Sequence, residues 1–201
     1  MKDIKKSISA GMMIGISSII YLICPNKMLG AFLFAIGLFI ICTFDMHLFT
    51  GKVGYIFENK NNPNCIKIWI GNLIGCLITI IPMRIAKGEI SLIAYDMIQK
   101  KLDNNFMSII ILSVFCGMLM YIAVENFQHN ENNFAKIIGL FLCVSSFIIC
   151  GFEHSIANMC YCIFSINSLS LAINSFIFIL IVSVANGVGA NLCRYMTNIR
   201  R

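Results

Sequence analysis

The sequence predicts an all-α membrane protein of six transmembrane helices arranged as two inverted three-helix repeats. Hydrophobic residues make up 59% of the 201 positions and charged residues only 12%, which is too little polar surface to cover a soluble domain. Several apolar runs approach the roughly 20 residues that a helix needs to cross a bilayer. No strand-like alternation of apolar and polar residues is visible, and lipid admits only helices or closed barrels.

Six apolar segments follow one another along the chain, separated by polar breaks. The first resembles a signal peptide, but it lacks a small-x-small cleavage site and is predicted to remain as the first spanning helix. We expect a single transmembrane channel domain over residues 1–201, with repeat halves of about 1–100 and 101–201. The segments are 8–24, 28–58, 66–83, 106–124, 137–166 and 171–193, and the breaks are 25–27, 58–64, 84–105, 125–133 and 167–168.

The basic residues predict the orientation of the chain. With the N-terminus inside, ten of the 15 Lys and Arg residues fall on the inner side, which agrees with the positive-inside rule. We therefore expect a multi-pass protein of the inner (cytoplasmic) membrane with both termini in the cytoplasm. The net charge of +6 is explained by topology, and the absence of a basic run interleaved with aromatics argues against a nucleic-acid partner. The ten inner residues are Lys2, Lys5, Lys6, Lys52, Lys60, Lys67, Lys136, Arg194, Arg200 and Arg201.

The ten cysteines do not indicate a disulfide framework or a metal site. Most of them lie within apolar runs, where a free thiol behaves as a small hydrophobe. No CxxC pair occurs, and the CxC formed by Cys160 and Cys162 has no histidine at the spacing of a zinc site. The sequence therefore predicts no metal and no cofactor.

Segments two and five are longer than a simple span and carry polar residues near their middle. Residues 45–51 read DMHLFTG, and residues 151–159 read GFEHSIANM. Ionisable groups at membrane depth are costly and usually face a bundle interior or an aqueous cavity. Because the two interruptions fall in the second helix of each half, they predict an inverted repeat in which helices 2 and 5 are broken.

Two further segments are rich in small residues, at 71–75 and 185–190. Small residues at such spacing let two helices approach closely. The two segments again occupy equivalent positions in the two halves. Close packing is a sufficient explanation for them, and the pattern assigns them no chemistry.

The motif GFEHSIANM at 151–159 resembles the most specific motif of the formate/nitrite transporter family, and LFTG at 48–51 resembles its helix-2 break. The two glycine-asparagine segments and Cys116-Gly117 align as well, so the resemblance covers essentially the whole chain. It implies a homopentamer of aquaporin-like protomers in the lipid bilayer, each with its own pore. The implied substrates are small monovalent anions, such as formate, nitrite or hydrosulfide, or their conjugate acids.

The same resemblance implies the residues of the pore. His154 matches the central pore histidine and Thr50 the threonine that faces it, while Asn158 and Glu153 match their neighbours. Lys101 falls where the family has a vestibule lysine, although a solvated loop charge is an alternative interpretation. The implied apolar constrictions are Phe34, Leu38, Leu48 and Phe147.

Three departures from the family pattern concern gating and substrate. His47 stands where an acidic residue is usual, and it could be a pore ligand, a partner of one, or a surface residue. Gly117 replaces a common asparagine of helix 4. The usual amphipathic N-terminal helix is missing, since apolar sequence begins within ten residues of Met1.

These residues suggest a way to move an anion through an apolar pore. Stripping water from an anion is costly, whereas its conjugate acid crosses easily. A histidine, whose ordinary pKa is about 6.5, can exchange protons near neutral pH. Burial favours the neutral ring and an arriving anion favours imidazolium, so protonation of His154 would follow substrate arrival. Thr50 could donate or accept a hydrogen bond, or simply bond back to its own helix.

Two further elements would assist the anion. A half-helix that begins near His154 is expected to aim free N–H groups at it. Lys101 on the outer side would raise the local anion concentration.

Two other functions are considered. A neutral-solute pore of the aquaporin type would show paired Asn-Pro-Ala loops, but proline occurs only at 25, 63 and 82. An enzyme would need a second reactive group near His154, and Ser155 does not share its face on a helix. We therefore predict no catalytic residues and no enzymatic activity.

Overall fold

The computed structural model of the chain describes residues 2–57 and 63–197. Lys60, Arg200, Arg201 and most of the predicted break at 58–64 lie outside the described residues. A 3-10 turn at Val53–Tyr55 follows the third helix. Within the described ranges the chain forms nine α-helices: α1 (Lys2–Ile23), α2 (Lys27–Thr43), α3 (Phe49–Lys52), α4 (Cys65–Ala86), α5 (Ile90–Leu102), α6 (Phe106–His129), α7 (Asn133–Ile149), α8 (Ser155–Ser165) and α9 (Leu169–Thr197).

Four of these helices, α1, α4, α6 and α9, are long and apolar enough to cross a membrane. Helices α2, α7 and α8 are apolar but shorter, with 17, 17 and 11 residues. The predicted all-helical, apolar fold class is confirmed. Several helices begin two to six residues before the predicted apolar segments, because hydropathy marks lipid contact rather than the helix itself.

Four of the helices have an asparagine as their N-cap residue. Asn26, Asn64, Asn105 and Asn132 each directly precede a helix, and each side chain accepts a hydrogen bond from backbone N–H groups of its first turn. These N–H groups have no partner within the helix, so a capping acceptor stabilises the helix start. The asparagine-rich connections are therefore part of what fixes the helix boundaries.

The predicted break at 84–105 was wrong as a simple connection, because it contains the 13-residue helix α5. Ile90, Ala94 and Ile98 recur every four residues and are buried, so one face of α5 packs inward, mainly against α8. Charged residues on the other face lower its mean hydropathy. The four-residue spacing of apolar residues is visible in the sequence, but a search for long apolar runs does not detect so short and amphipathic a helix.

Helices α2 and α7 end in the same way. Two residues beyond their last helical residues, Asp45 and Gly151 adopt left-handed backbone conformations, with φ of +47° and +67°. In each case two backbone hydrogen bonds fold back onto the last turn, the Schellman pattern. The non-helical stretches are 44–48 and 150–154, so residues 49–51 of the predicted first break are already helical.

Close helix packing occurs where the small-residue segments predicted it. Helix α1 lies against α4, and α6 lies against α9. A Cβ on Gly75 would lie 2.1 Å from the carbonyl oxygen of Ile8, and one on Gly189 would lie 2.0 Å from that of Val114. No side chain fits at these positions, because a backbone atom cannot move aside as a flexible side chain can.

We expect Gly75→Ala to destabilise the protein by about 1–3 kcal/mol, because the added methyl overpacks a backbone contact. Gly88→Ala is the matched control, since its Cβ would meet nothing closer than 3.6 Å. The thermal unfolding midpoint in detergent, followed by the fluorescence of the single tryptophan Trp69, measures the difference. Equal midpoints for the two variants would contradict the close approach of α1 and α4.

Candidate functional site

The two non-helical stretches bring Thr50 and His154 together. The hydroxyl Oγ1 of Thr50 lies 2.9 Å from Nε2 of His154, although the two residues are 104 positions apart. Thr50 sits in the first turn of α3, and His154 directly precedes α8 as its N-cap. Both side chains are almost fully buried, with 1% and 2% of their surface exposed. This contact joins the two sequence motifs in the centre of the protein.

The hydrogen bonds of His154 assign its tautomer. Its Nδ1 accepts from the backbone N–H of Ala157 at 3.0 Å, so Nδ1 carries a lone pair. A neutral imidazole then holds its hydrogen on Nε2, which donates to Thr50 Oγ1. The Thr50 hydroxyl hydrogen remains available to a molecule beside it. Forming imidazolium would require the Ala157 N–H contact to open, because a protonated Nδ1 cannot accept.

The expected free N–H groups at the start of α8 are largely occupied. The N–H of Ser155 donates to Oδ1 of Asn186 at 2.9 Å, and the N–H of Ala157 donates to His154 itself. Two of the first three donors of this helix therefore have protein partners. The expectation that the half-helix aims its N–H groups at an anion was wrong for these two.

Asn72 holds the first non-helical stretch in place from α4. Its Oδ1 accepts from the N–H of Phe49 at 2.8 Å, and its Nδ2 donates to the carbonyl of His47 at 2.9 Å. The same Nδ2 also donates to the carbonyl of Ser7 in α1 at 2.7 Å. One amide thus satisfies three buried backbone groups, which would otherwise be costly in an apolar interior.

Asn186 does the same for the second stretch from α9. Its Oδ1 accepts from Ser155, and its Nδ2 donates to the carbonyls of Glu153 and Ser113 at 2.8 and 2.7 Å. Asn72 and Asn186 are both completely buried. The small-residue segments that contain these asparagines predicted only close packing. Each asparagine stands alone in an otherwise apolar helix, and that repeated pattern could have identified both as functional residues.

Glu153, Asn158 and Lys101 form a second cluster beside His154. Lys101 Nζ lies 2.5 Å from Glu153 Oε2, and Asn158 Nδ2 donates to the same oxygen at 2.8 Å. The carboxylate is buried, and the lysine side chain is only 17% exposed. Lys101 is therefore neither a solvated loop charge nor an isolated cation, since its charge is compensated by Glu153. Its assignment to the pore stays a prediction.

An aromatic stack lies against His154. The Phe147 ring stacks on the imidazole with centroids 5.4 Å apart and an interplanar angle of 18°. Phe34 meets Phe147 edge-on, with centroids 6.0 Å apart. Both phenylalanines are buried. Phe147, one of the two predicted constriction residues, is therefore in contact with both Phe34 and His154.

The other two predicted constriction residues, Leu38 and Leu48, line a small cavity. Its volume of about 20 Å³ is enough for one water molecule. Like the aromatic pair, both leucines are buried. The remaining lining residues are Ile41, Cys42, Asp45, Met46, Gly51, Lys52, Val124 and Gln128.

His47 does not join the contact of Thr50 and His154. Its backbone N–H donates to the carbonyl of Lys6 at 3.3 Å, and its own carbonyl is held by Asn72. Counting from the ends of α2 and α7, His47 occupies the same position as Glu153, four residues past the last helical residue. Its role as a pore ligand, a partner of one or a surface residue stays open.

Comparison with known proteins identifies relatives over most of the chain. A family model described as formate/nitrite transporter matches residues 1–199. The formate channel FocA of Escherichia coli K12 is 25% identical over 183 residues, which cover 79% of this chain and 64% of that protein. The nitrite transporter NirC of the same organism is 27% identical over 139 residues, covering 63% and 52%. This chain thus spans less than two thirds of the length of these curated relatives.

Solved structures resemble the fold closely. The structure of a pentameric formate channel with formate bound superposes with a TM-score of 0.82 at 25% identity, covering 98% of this chain and 95% of that one. An ion channel of the FNT family superposes with a TM-score of 0.85 at 19% identity, covering 99% and 90%. The second likeness concerns the fold alone.

We expect Lys101→Met to lower the free energy of unfolding by roughly 3 kcal/mol, because it leaves the buried Glu153 carboxylate without its counter-charge. The double variant with Glu153→Gln should recover most of that loss. Denaturant unfolding of the purified protein measures both values. Lys100→Met, at an exposed neighbouring position, is the matched control and should unfold like the parent. A double variant no more stable than Lys101→Met would show that the ion pair is not the cause.

Proposed function

The chain belongs to the formate/nitrite transporter family, and from that premise we propose that this multi-pass membrane protein conducts small monovalent anions: formate, nitrite or hydrosulfide. The buried contact between Thr50 and His154, with apolar residues on either side, is the observation that carries the proposal. It combines a proton-exchanging group and a hydroxyl in a buried region that apolar side chains surround.

The proposed architecture has six spans in two inverted repeats, in halves of about 1–100 and 101–201. In it, α2 with α3, and α7 with α8, each act as one broken span. Two features support this arrangement. Both breaks start with a left-handed residue in a Schellman pattern, and both are held by a buried asparagine from the last long helix of their half. Helix α5 then belongs to the connection between the halves.

We further propose a homopentamer in the inner membrane with an aquaporin-like fold, one pore per protomer and both termini in the cytoplasm. The solved formate channel described above is pentameric, and its structural similarity covers nearly all of this chain. The excess of basic residues on the side of the termini supports the orientation.

In the proposed pore, an anion passes two apolar layers. Phe34 with Phe147 forms one, and Leu38 with Leu48 forms the other. Phe34 and Leu38 lie one turn apart on α2, which separates the layers by about 6 Å along that helix. An ion that loses its hydration there incurs a penalty of several kcal/mol, whereas the neutral conjugate acid does not.

His154 is proposed to supply the proton. At rest it is neutral, since Ala157 occupies Nδ1. An anion beside Thr50 stabilises imidazolium enough to open that contact, and Nδ1 takes a proton that arrives through the pore as hydronium, which leaves a water molecule. The ring then passes the Nε2 proton, directly or through the Thr50 hydroxyl, to the anion. Anion and imidazolium become neutral acid and neutral imidazole, so charge is balanced before the second apolar layer is crossed. The ring then carries its hydrogen on Nδ1, and it returns to the resting tautomer by releasing that proton to pore water and taking one back at Nε2.

A flux assay in proteoliposomes tests the proposed function. We expect formate, nitrite or hydrosulfide to enter faster than acetate and lactate, with uptake that increases as the external pH falls. Glycerol is the neutral control and should not pass. Glycerol flux without anion flux would favour the aquaporin-type pore and contradict the anion channel.

Variants at His154 test the proton step. His154→Asn should preserve the start of α8, because asparagine is itself a good N-cap that can accept from Ala157. We expect its anion flux to lose the part of the parent's pH dependence that comes from the histidine, since the amide does not titrate. His154→Phe should abolish acid-coupled uptake while the oligomer remains intact. Unchanged pH dependence in His154→Asn would mean that the pore selects by size and field alone.

A further inference from the structure

The two short helices α3 and α8 are each bound at both ends by side chains of the long helices α4 and α9. At the start of α3, Asn72 of α4 accepts a hydrogen bond from the N–H of Phe49. At the start of α8, Asn186 of α9 accepts one from the N–H of Ser155. At the other end of each short helix, the two long helices exchange these roles.

Helix α8 ends against α4. Nη1 of Arg84 donates to the carbonyl of Ile163 at 3.3 Å. The N–H of Ile166, directly after α8, donates to Cys162, so Ile163 carries the next carbonyl at this helix end. Carbonyls at a helix C-terminus need donors from outside the helix, and a guanidinium also suits the negative end of the helix dipole.

The turn that follows α3 ends against α9 in a similar way. Nη1 of Arg194 donates to the carbonyl of Gly54 at 3.2 Å, and Asn191 of the same helix donates to the carbonyl of Val53 at 2.9 Å. Each half of the chain therefore contributes an arginine that binds the end of the short helix in the other half.

The contact between Thr50 and His154 depends on how α4 and α9 are placed relative to each other. Thr50 follows the stretch held by α4, and His154 directly precedes the helix whose start is held by α9. Yet α4 packs mainly on α1, and α9 packs mainly on α6. A direct bond joins α4 to α9 from Nε1 of Trp69 to Oγ of Ser183 at 2.9 Å. The short helices, bound at both ends, provide further connections between the two long helices.

We infer that Arg84 is a positioning residue of the pore, which fixes α8 against α4 and thereby keeps His154 in contact with Thr50. Ile163 lies about 14 Å beyond His154 along α8, so Arg84 acts through the helix and not by touching the site. The pore role of this contact rests on the proposed function.

A double-mutant cycle on formate flux in proteoliposomes tests the inference. Arg84→Met should lower the maximal flux about twofold to tenfold, the effect of one lost hydrogen bond. In a Thr50→Val background, where the contact is already absent, the same change should alter the flux less than about 1.5-fold, whereas independent sites would give multiplied effects. The loss should be equal at about 10 mM and about 1 M salt, because Arg84 does not act by attracting anions from solution.

An equally large loss in the Thr50→Val background would overturn the inference. A loss that disappears at high salt would overturn it as well, because the charge of Arg84 would then be acting on the anion itself.

NMR of the protein labelled at the histidine ring nitrogens gives a readout that does not require transport. The signals of His154 are those that His154→Asn lacks. Arg84→Met should shift the Nε2 signal, because the bond to Thr50 changes. Arg84→Lys keeps a charged donor and should restore the parental signal. Arg84→Gln, whose side chain is too short to reach Ile163, takes the place of Arg84→Met if that variant does not fold.

Lys87→Met removes an exposed cation directly after α4 and is the matched control. It should leave both the flux and the His154 signals unchanged. Parental His154 signals in a folded Arg84→Met protein would overturn the role of Arg84 whether or not the protein conducts anions. Absence of formate flux in the parent would overturn the proposed function, and the ring signals would still test the positioning by Arg84.

Discussion

Backbone hydrogen bonding away from water is the constraint on which the structure depends. Helices satisfy their own peptide groups, but a chain that leaves the helical path inside an apolar bundle exposes donors and acceptors without partners. The stretches 44–48 and 150–154 do this twice. One buried amide serves each stretch: Asn72 and Asn186 accept from the first N–H after the stretch and donate to a carbonyl near its end.

The two non-helical stretches carry different side chains at the same backbone position. Leu48 and His154 are the N-caps of α3 and α8 and occupy equivalent places after the preceding helix. In one half that position carries an apolar side chain, and in the other it carries the titratable ring that contacts Thr50. The same backbone arrangement therefore presents an apolar side chain after α2 and a titratable ring after α7.

Much of the fold could be predicted from hydropathy, because lipid restricts the chain to helices and favours long apolar runs. Helix α5 could not be found in that way, because its polar face hides a buried stripe at Ile90, Ala94 and Ile98. The motifs identified Thr50 and His154, but no one-dimensional pattern states that Lys101 pairs with Glu153. Such partners depend on distances between helices far apart in sequence, and the N–H of Ser155 at the start of α8 is bound by an asparagine 31 residues away.

Glu153 connects three helices, α5, α8 and α9, through its hydrogen bonds and its ion pair. Its carboxylate holds Lys101 at the end of α5 and Asn158 in α8, while its carbonyl is held by Asn186 of α9. Helix α5 cannot separate from the bundle without exposing a buried charge, and a shift of the Glu153 backbone moves the adjacent histidine with it. These elements form one cooperative unit for local opening, so their amide hydrogens should exchange with solvent together rather than helix by helix.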